Sequence, residues 1–167
     1  DAGLDTGPML AKERFIMAAD ETTQTLTDKV TALGARMLVQ LLQEPDKITT
    51  TKQPEEGVTY AHKISKEEGL IDFSQSAAVV ERKIRAYTPF PSSYAKHKDT
   101  VIKIWQAHIV DMQGTPGEIL RADKNGVVIA CGQDAICATV LQRPGKPKMP
   151  VESFLQGYEI TKGDIFQ

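Results

Sequence analysis

Short apolar segments separated by turn residues fill the sequence from Val101 to Gln142. Asn125-Gly126 and Gly132-Gln133-Asp134 supply residues that reverse the chain between such segments. Successive strands joined by tight turns predict a small antiparallel β-barrel, in which closure removes the open sheet edges. The predicted strands are Val101–Val110, Gly117–Leu120, Val127–Cys131 and Ala135–Gln142.

The first part of the chain has a different pattern. Glu13–Ala19 is mostly apolar and reads as a strand, and Asp20, Thr22 and Thr23 then offer helix N-caps. Helical spacing of apolar residues predicts an amphipathic helix over about Thr25–Gln43. A strand followed by such a helix is typical of the end of an α/β sheet domain. The apolar positions of the helix are Leu26, Val30, Leu33, Met37 and Leu41.

Residues 46–62 are polar, contain Pro54 and Gly57, and lack a regular period, which predicts an interdomain linker. A second helix is expected from Ser74, as its cap, to about Tyr87, and a short one over Val151–Gln156. The turn-rich start at Gly3–Pro8 suggests a cut through a larger protein. The apolar stripe of the second helix is Ala77, Val80, Ile84 and Tyr87.

The net charge of −2 conceals a basic stretch at residues 81–103, which favours a polyanionic partner. Cys131 and Cys137 form no CxxC pair and have no zinc-site spacing, so we interpret them as small buried apolar residues and expect no metal. No secretory signal is evident, and no apolar run reaches the ~20 residues of a membrane helix. We therefore expect a cytoplasmic protein without a membrane segment.

Several blocks, in order, resemble the methionyl-tRNA formyltransferases. Gly3–Leu10 (GLDTGPML) is similar to the block that closes their active site. The departures are modest: Phe73 and Phe90 stand where the family usually has Trp, and Ser92 where it commonly has Gly. The family's Asn-x-His is not found in this chain. The other blocks are Lys63–Phe73, Glu81–Pro91, Ile102–Ala107, Pro116–Leu120, Gly126–Gly132 and Leu141–Met149.

The resemblance implies an α+β chain with two parts. Residues 1–45 would be a remnant, a strand and a helix, of a Rossmann-like formyltransferase domain, and residues 63–167 an OB-like tRNA-binding barrel. The family transfers a formyl group from 10-formyltetrahydrofolate to the methionyl amino group of initiator tRNA. Asp5 matches the catalytic aspartate, which would shuttle protons in that reaction. We expect no bound folate and no activity in this chain by itself.

The resemblance also implies a basic tRNA-holding channel. Arg and Lys contact phosphates without reading sequence, and these residues lie on the predicted helix, strands and loops of the second part. Trp105 and Tyr87 could stack on bases, but both fall on apolar stripes, which favours core packing. The candidate tRNA-binding residues are Lys63, Lys66, Arg82, Lys83, Arg85, Lys96, Lys98, Lys103, Lys146 and Lys148.

Three other interpretations remain open. The formyl acceptor could be an amino-sugar nucleotide or another amine. The chain could be a stand-alone OB-like nucleic-acid-binding module without an enzymatic parent. Asp5-Thr6-Gly7 also resembles the active-site triplet of aspartic proteases, although one copy and the helix at Thr25–Gln43 suit that all-β fold poorly.

Overall fold

The computed structural model describes all 167 residues, which divide into two compact units, Asp1–Lys63 and Ile64–Gln167. In the first unit, helix α1 spans Thr23–Gln43 and begins with a reciprocal capping box between Thr22 and Thr25. A 3₁₀ turn follows at Pro45–Lys47. The helix predicted from periodicity is thus confirmed, with Thr22 as its cap.

The predicted strand at Glu13–Ala19 is wrong. Residues 11–18 have no regular secondary structure and pair with no strand, and Ile16 is 94% exposed. An apolar segment becomes a strand only where a neighbour accepts its backbone hydrogen bonds, and none does so here. The backbone pairing in this unit is a bridge between Met9 and Thr51, so the predicted linker holds the first residues of the chain.

No residue of α1 is buried. The helix carries an apolar side, yet Leu38 is 57% exposed and Leu42 71% exposed. Its stabilising contacts are local, including a salt bridge from Lys29 to the buried Glu21, which precedes the helix. A long amphipathic helix normally gains most of its stability by burying its apolar face.

The second unit is built on a six-stranded antiparallel sheet in the order β1-β2-β5-β4-β3, with β6 paired to β5. Two-residue loops join β1 to β2 and β3 to β4. Helix α2 packs against β2 and β5, and α3 follows β6. The strands are Ser93–His97 (β1), Thr100–Val110 (β2), Ile119–Asp123 (β3), Gly126–Ala130 (β4), Ala135–Gln142 (β5) and Met149–Pro150 (β6); the helices are Ala77–Ala86 (α2) and Val151–Gly157 (α3).

Most predicted elements of this unit are present, with shifted ends. The second helix starts at Ala77 with Ser76 as its cap, because Ser74 instead donates to the Asp72 carboxylate in a turn. The strand expected at Gly117–Leu120 begins at Ile119, since Gly117 adopts a positive φ of 85°. Strands β1 and β6 were not predicted.

The core lies between the sheet and the helices. The predicted stripe of α2 is confirmed at Ala77, Val80 and Ile84, which are at most 1% exposed, whereas Tyr87 is only half-buried. Strand β4 is buried along its whole length. Other members of the core are Phe73, Ile102, Ile104, Ile119, Ile129, Ile136, Leu141, Phe154 and Phe166.

The last residues of the chain hydrogen-bond to both edges of the sheet. Gln167 exchanges two backbone hydrogen bonds with Lys96 on β1. Phe166 donates to Gly117, and Ile119 on β3 donates to Asp164. Residues 163–167 therefore pair with both edge strands, and Ile71 adds a hydrogen bond to Tyr94 on β1.

A buried polar cluster fixes this terminal segment. His97 is fully buried, and its two ring nitrogens lie 3.0 Å from the Tyr158 hydroxyl and 3.0 Å from Asp164 Oδ2. The backbone N–H of Thr161 and then the His97 ring hold the pKa of Asp164 well below its usual range. Lys98, 3.5 Å away, adds to this effect.

No helix of the structure is both long enough and apolar enough to cross a membrane.

Substituting Gly132 by alanine should destabilise the second unit. A Cβ at Gly132 would lie 1.9 Å from the backbone oxygen of Ser74, and backbone cannot yield as a flexible side chain would. Overpacking of this kind costs about 1–3 kcal/mol. Denaturant unfolding followed by the fluorescence of Trp105, the sole tryptophan, measures the loss. Gly34→Ala, with open space around its Cβ, should not move that transition; equal midpoints for both variants would contradict the expectation.

Asp164→Asn should lower the free energy of unfolding at neutral pH. It should also make that free energy less dependent on pH in the acid range. A carboxyl whose folded pKa is depressed contributes stability that is present above its unfolded pKa, about 4, and is lost as pH falls through the folded pKa. The wild-type free energy of unfolding should therefore fall from about pH 5 downward, and that of the variant should fall less. Asp99→Asn, in the exposed β1–β2 turn, is the control. Parallel pH curves for wild type and Asp164→Asn would exclude the effect.

Candidate nucleic-acid interface

One face of β1, β2 and β5 points away from the core and carries basic and aromatic side chains. On β1, Ser93, Ala95 and His97 are buried, so Tyr94 and Lys96 point outward. The register pairs Tyr94 with Lys103 on β2, and Lys103 with Gln142 on β5. Antiparallel partners share a face, so these side chains form one surface.

Trp105 belongs to this outward face and not to the core. Its indole is half-buried, and the Nε1–H donates to Gln142 Oε1 at 2.9 Å. The ammonium of Lys148 lies 4.9 Å from the ring centroid and that of Lys103 lies 5.9 Å from it. Such distances are within the range of cation–π attraction. The expectation of core packing for Trp105 is therefore wrong, because β2 presents apolar side chains on both faces.

Gln142 connects the tryptophan to the basic loop that follows β5. Its amide Nε2 donates to the backbone oxygen of Lys146 at 2.7 Å, while its Oε1 accepts from Trp105. Leu141–Pro150 has three basic residues and no acidic one, so the loop it holds is strongly positive. A cleft of about 280 Å³ lies beside it, lined by Val101, Lys103, Gln142, Arg143, Pro144 and Gly145.

Arg143 secures the other side of the same loop. Its guanidinium donates to the backbone oxygen of Gly157 and lies 6.0 Å from the centroid of Tyr158. Because these two contacts join Arg143 to the end of α3, Arg143 positions the loop. Sequence reasoning missed both Gln142 and Arg143 as site residues, although both lie in the block Leu141–Met149 that resembles the family.

The structure divides the remaining predicted basic residues into two groups. Arg85 forms a 2.6 Å salt bridge with Glu81, and Lys83 donates to the backbone oxygen of Leu70 at 2.7 Å, so both are engaged within the fold. Arg82 is exposed on the same helix, so it differs from Arg85 and Lys83 in its access to solvent. Lys63, Lys66, Lys96, Lys98 and Lys146 are exposed, with Lys98 near Asp164.

Asp5 lies in the first unit, on an exposed turn with a positive φ of 58°. The Gln53 amide holds this turn by donating to the backbone oxygens of Asp5 and Gly7. The Asp5 carboxylate itself makes no hydrogen bond or ion pair, and it lines an open cavity of about 1230 Å³. The cavity walls include Leu4, Thr6, Pro8, Val58 and Tyr60.

The two cysteines are buried and free, in agreement with their interpretation as small apolar residues. Burial raises the pKa of Cys131 to about 11 and also raises that of Cys137. No group of three or more His, Cys, Asp or Glu side chains is arranged to hold a metal ion. Neither cysteine contributes to the basic face.

Residues 63–159 match the model of the formyl transferase C-terminal domain, which accounts for more than half of the chain. The chain belongs to this family. It is 46% identical over 166 residues to a methionyl-tRNA formyltransferase of Dechloromonas aromatica, and 44% identical over 172 residues to that of Ralstonia pickettii. These alignments cover 99% of the chain but 54% and 53% of the relatives, so the chain spans about half their length.

Solved structures share the fold. HypX from Aquifex aeolicus superposes with a TM-score of 0.70 at 21% identity, covering 100% of the chain and 34% of HypX. The N-formyltransferase from Helicobacter canadensis, in complex with folinic acid and dTDP-3-aminofucose, gives a TM-score of 0.59 at 17% identity, covering 86% of the chain and 52% of that enzyme. At these identities the likeness concerns the fold alone.

Both thiols should resist modification in the folded protein. The thiolate is the reactive form, and raised pKa values leave little of it at pH 8. Titration with an aromatic disulfide reagent should show two thiols that react only after denaturant is added. Cys137→Ala should leave a single slow thiol. Rapid stoichiometric reaction of the native chain would contradict this prediction.

Proposed function

We propose that this chain is the tRNA-holding part of a methionyl-tRNA formyltransferase, the enzyme that transfers a formyl group from 10-formyltetrahydrofolate to the methionyl amino group of initiator tRNA. The observation that carries the proposal is the 46% identity, along the whole chain, to a relative of that name. The basic face of β1, β2 and β5 supports a polyanionic partner. The reaction of the whole enzyme is proposed from the names of its relatives.

The two units take different roles in this proposal. Residues 1–45 would end the catalytic domain, 46–62 would link it, and 63–167 would form an OB-like barrel for tRNA. Contacts of residues 164–167 with both sheet edges support closure of the barrel. The exposed apolar side of α1 fits a helix that belongs to a larger α/β domain. A cytoplasmic location is part of the proposal, because the relatives are named for a reaction on tRNA.

Asp5 is proposed as the proton-transferring carboxylate of the complete enzyme. In the reaction a bond forms between the amine nitrogen and the formyl carbon, and the bond from that carbon to the folate nitrogen breaks. The amine must lose a proton and the folate nitrogen must gain one, which a carboxylate in hydrogen-bond reach can assist. Around the exposed Asp5 the chain supplies no histidine or asparagine contact, so these residues alone do not make a folate site.

A second acceptor class has one observation in its favour. The Helicobacter canadensis enzyme that shares the fold was crystallised with an amino-sugar nucleotide, dTDP-3-aminofucose. Its identity to the chain is 17%, however, against 46% for the tRNA enzyme. We therefore favour initiator tRNA as the acceptor substrate.

Binding of initiator tRNA to the purified chain tests the proposal. Affinity should fall steeply with salt, because each phosphate contact releases counterions. Arg82→Glu should weaken binding and lower the salt slope by about one without loss of stability. Arg85→Glu should instead destabilise the fold by breaking the salt bridge to Glu81. No binding of tRNA by the wild-type chain at low salt would refute the tRNA-holding role.

The chain alone should show no formyl transfer from 10-formyltetrahydrofolate to methionyl-tRNA, since it carries Asp5 but no Asn-x-His sequence. The Dechloromonas aromatica relative, which carries the additional half, serves as the positive control. Formylated product above background with the purified 167-residue chain would show that the assignment of the catalytic groups is wrong.

A further inference from the structure

We propose that Trp105 organises a phosphate-binding site for the tRNA backbone, in which Lys103 and Lys148 are the binding cations and Gln142 is a positioning residue. The inference rests on the proposed function and deepens it, because it places the contact on one part of the basic face. Its starting point is that Trp105 lies on the outward face of the sheet beside two ammonium groups.

The first argument concerns the two cations. A free lysine side chain loses rotamer entropy when it binds a ligand. Lys148 Nζ lies 4.9 Å and Lys103 Nζ 5.9 Å from the Trp105 ring centroid, so the ring already restricts both. Neither Lys103 nor Lys148 forms a salt bridge with a carboxylate, and both are thus available to an anion. Side chains that are already restricted lose less entropy on binding, so each of their contacts contributes more to the affinity than a contact from a mobile side chain.

The second argument concerns the loop that carries Lys146 and Lys148. Two side-chain hydrogen bonds of Gln142, from Trp105 Nε1 and to the Lys146 oxygen, fasten the loop to β5. Arg143 fastens it again at Gly157. Pro144 and Pro147 limit the backbone between these points. A loop fixed in this way presents its lysines beside Lys103 and the adjoining cleft.

The third argument distinguishes a phosphate from a base. An aromatic ring used for stacking needs an open face, but Trp105 is half-buried and Lys148 lies over it. The groups that face solvent are the ammonium groups around the ring. Their chemistry recognises phosphate oxygens without reading sequence. The experiment must therefore distinguish phosphate binding by the two lysines from stacking of a base on Trp105.

The sole tryptophan of the chain is at the proposed site, so its intrinsic fluorescence reports occupancy directly. Titration with initiator tRNA should change Trp105 emission with the same midpoint as anisotropy of labelled tRNA. Lys103→Gln with Lys148→Gln should lower the salt slope by about two, one for each lost contact. The matched control is Lys124→Gln with Lys162→Gln, two exposed turn lysines, which should leave the slope unchanged.

The positioning roles of Gln142 and Trp105 are tested by variants that change the affinity for tRNA without removing a charge. Gln142→Leu removes no charge, so it should weaken binding while the salt slope stays near the wild-type value. Trp105→Phe keeps a ring for the lysines but loses the bond to Gln142, and it should resemble Gln142→Leu. Circular dichroism confirms that each variant folds. A large loss in Trp105→Ala with a full salt slope in the lysine variant would indicate base stacking and overturn the phosphate assignment.

A second probe separates failure of the site from failure of the proposed function. Inorganic tripolyphosphate should change Trp105 emission in the wild type and not in Lys103→Gln with Lys148→Gln. That result without tRNA binding would support the anion site and reject the tRNA role. Salt-dependent tRNA binding with unchanged emission and unchanged slope in the lysine variant would overturn the site and leave the tRNA role intact.

Discussion

Backbone hydrogen bonds from residues 163–167 reach both edge strands of the sheet, and the second unit depends on them to cover those edges. Without these bonds, the backbone groups of Lys96 on β1 and of Ile119 on β3 would be unpaired. The side chains of the same segment also hold it in place, because Phe166 packs in the core and Asp164 is hydrogen-bonded to the buried His97.

The outward face of β1, β2 and β5 shows how the fold produces a candidate site from ordinary strand geometry. Alternation along β1 buries Ser93, Ala95 and His97 and directs Lys96 outward, and pairing with β2 brings Lys103 to the same side. Trp105 then serves as a hydrogen-bond donor and a resting surface for cations. The arrangement contains no acidic side chain within Leu141–Pro150, so its positive charge is not neutralised locally.

Sequence patterns predicted the elements whose apolar side chains have a clear period. Helix α1, the stripe of α2 and strand β5 have such periods, and they were found at or near the expected positions. Strand β1 escaped prediction because its buried positions are Ser93, Ala95 and His97, which do not read as a hydrophobic alternation. Residues 13–19 were misread because apolar composition says nothing about whether a partner strand exists.

The candidate site, like the fold, was predicted only in part from the sequence. Charge alone identified the lysines, but it could not reveal that Arg85 is tied to Glu81 or that Lys103 rests beside a tryptophan. Apolar residues on both faces of β2 concealed the direction of Trp105, and a bulge near Ile104 further disturbs the alternation there. Gln142 could not be predicted as a site residue, because its role depends on its hydrogen bonds to Trp105 and Lys146, and these are known only from the structure.

The pairing of Lys96 with Gln167 also has a consequence for the order in which the molecule assembles. These partners are far apart in sequence, and contacts of that kind slow folding because a long loop must close first. During synthesis β1 is made before residues 164–167, so its partner at that edge is not yet present when β1 forms. The nascent unit therefore carries an open sheet edge until residues 164–167 are added, and an open edge is a site at which other chains can pair.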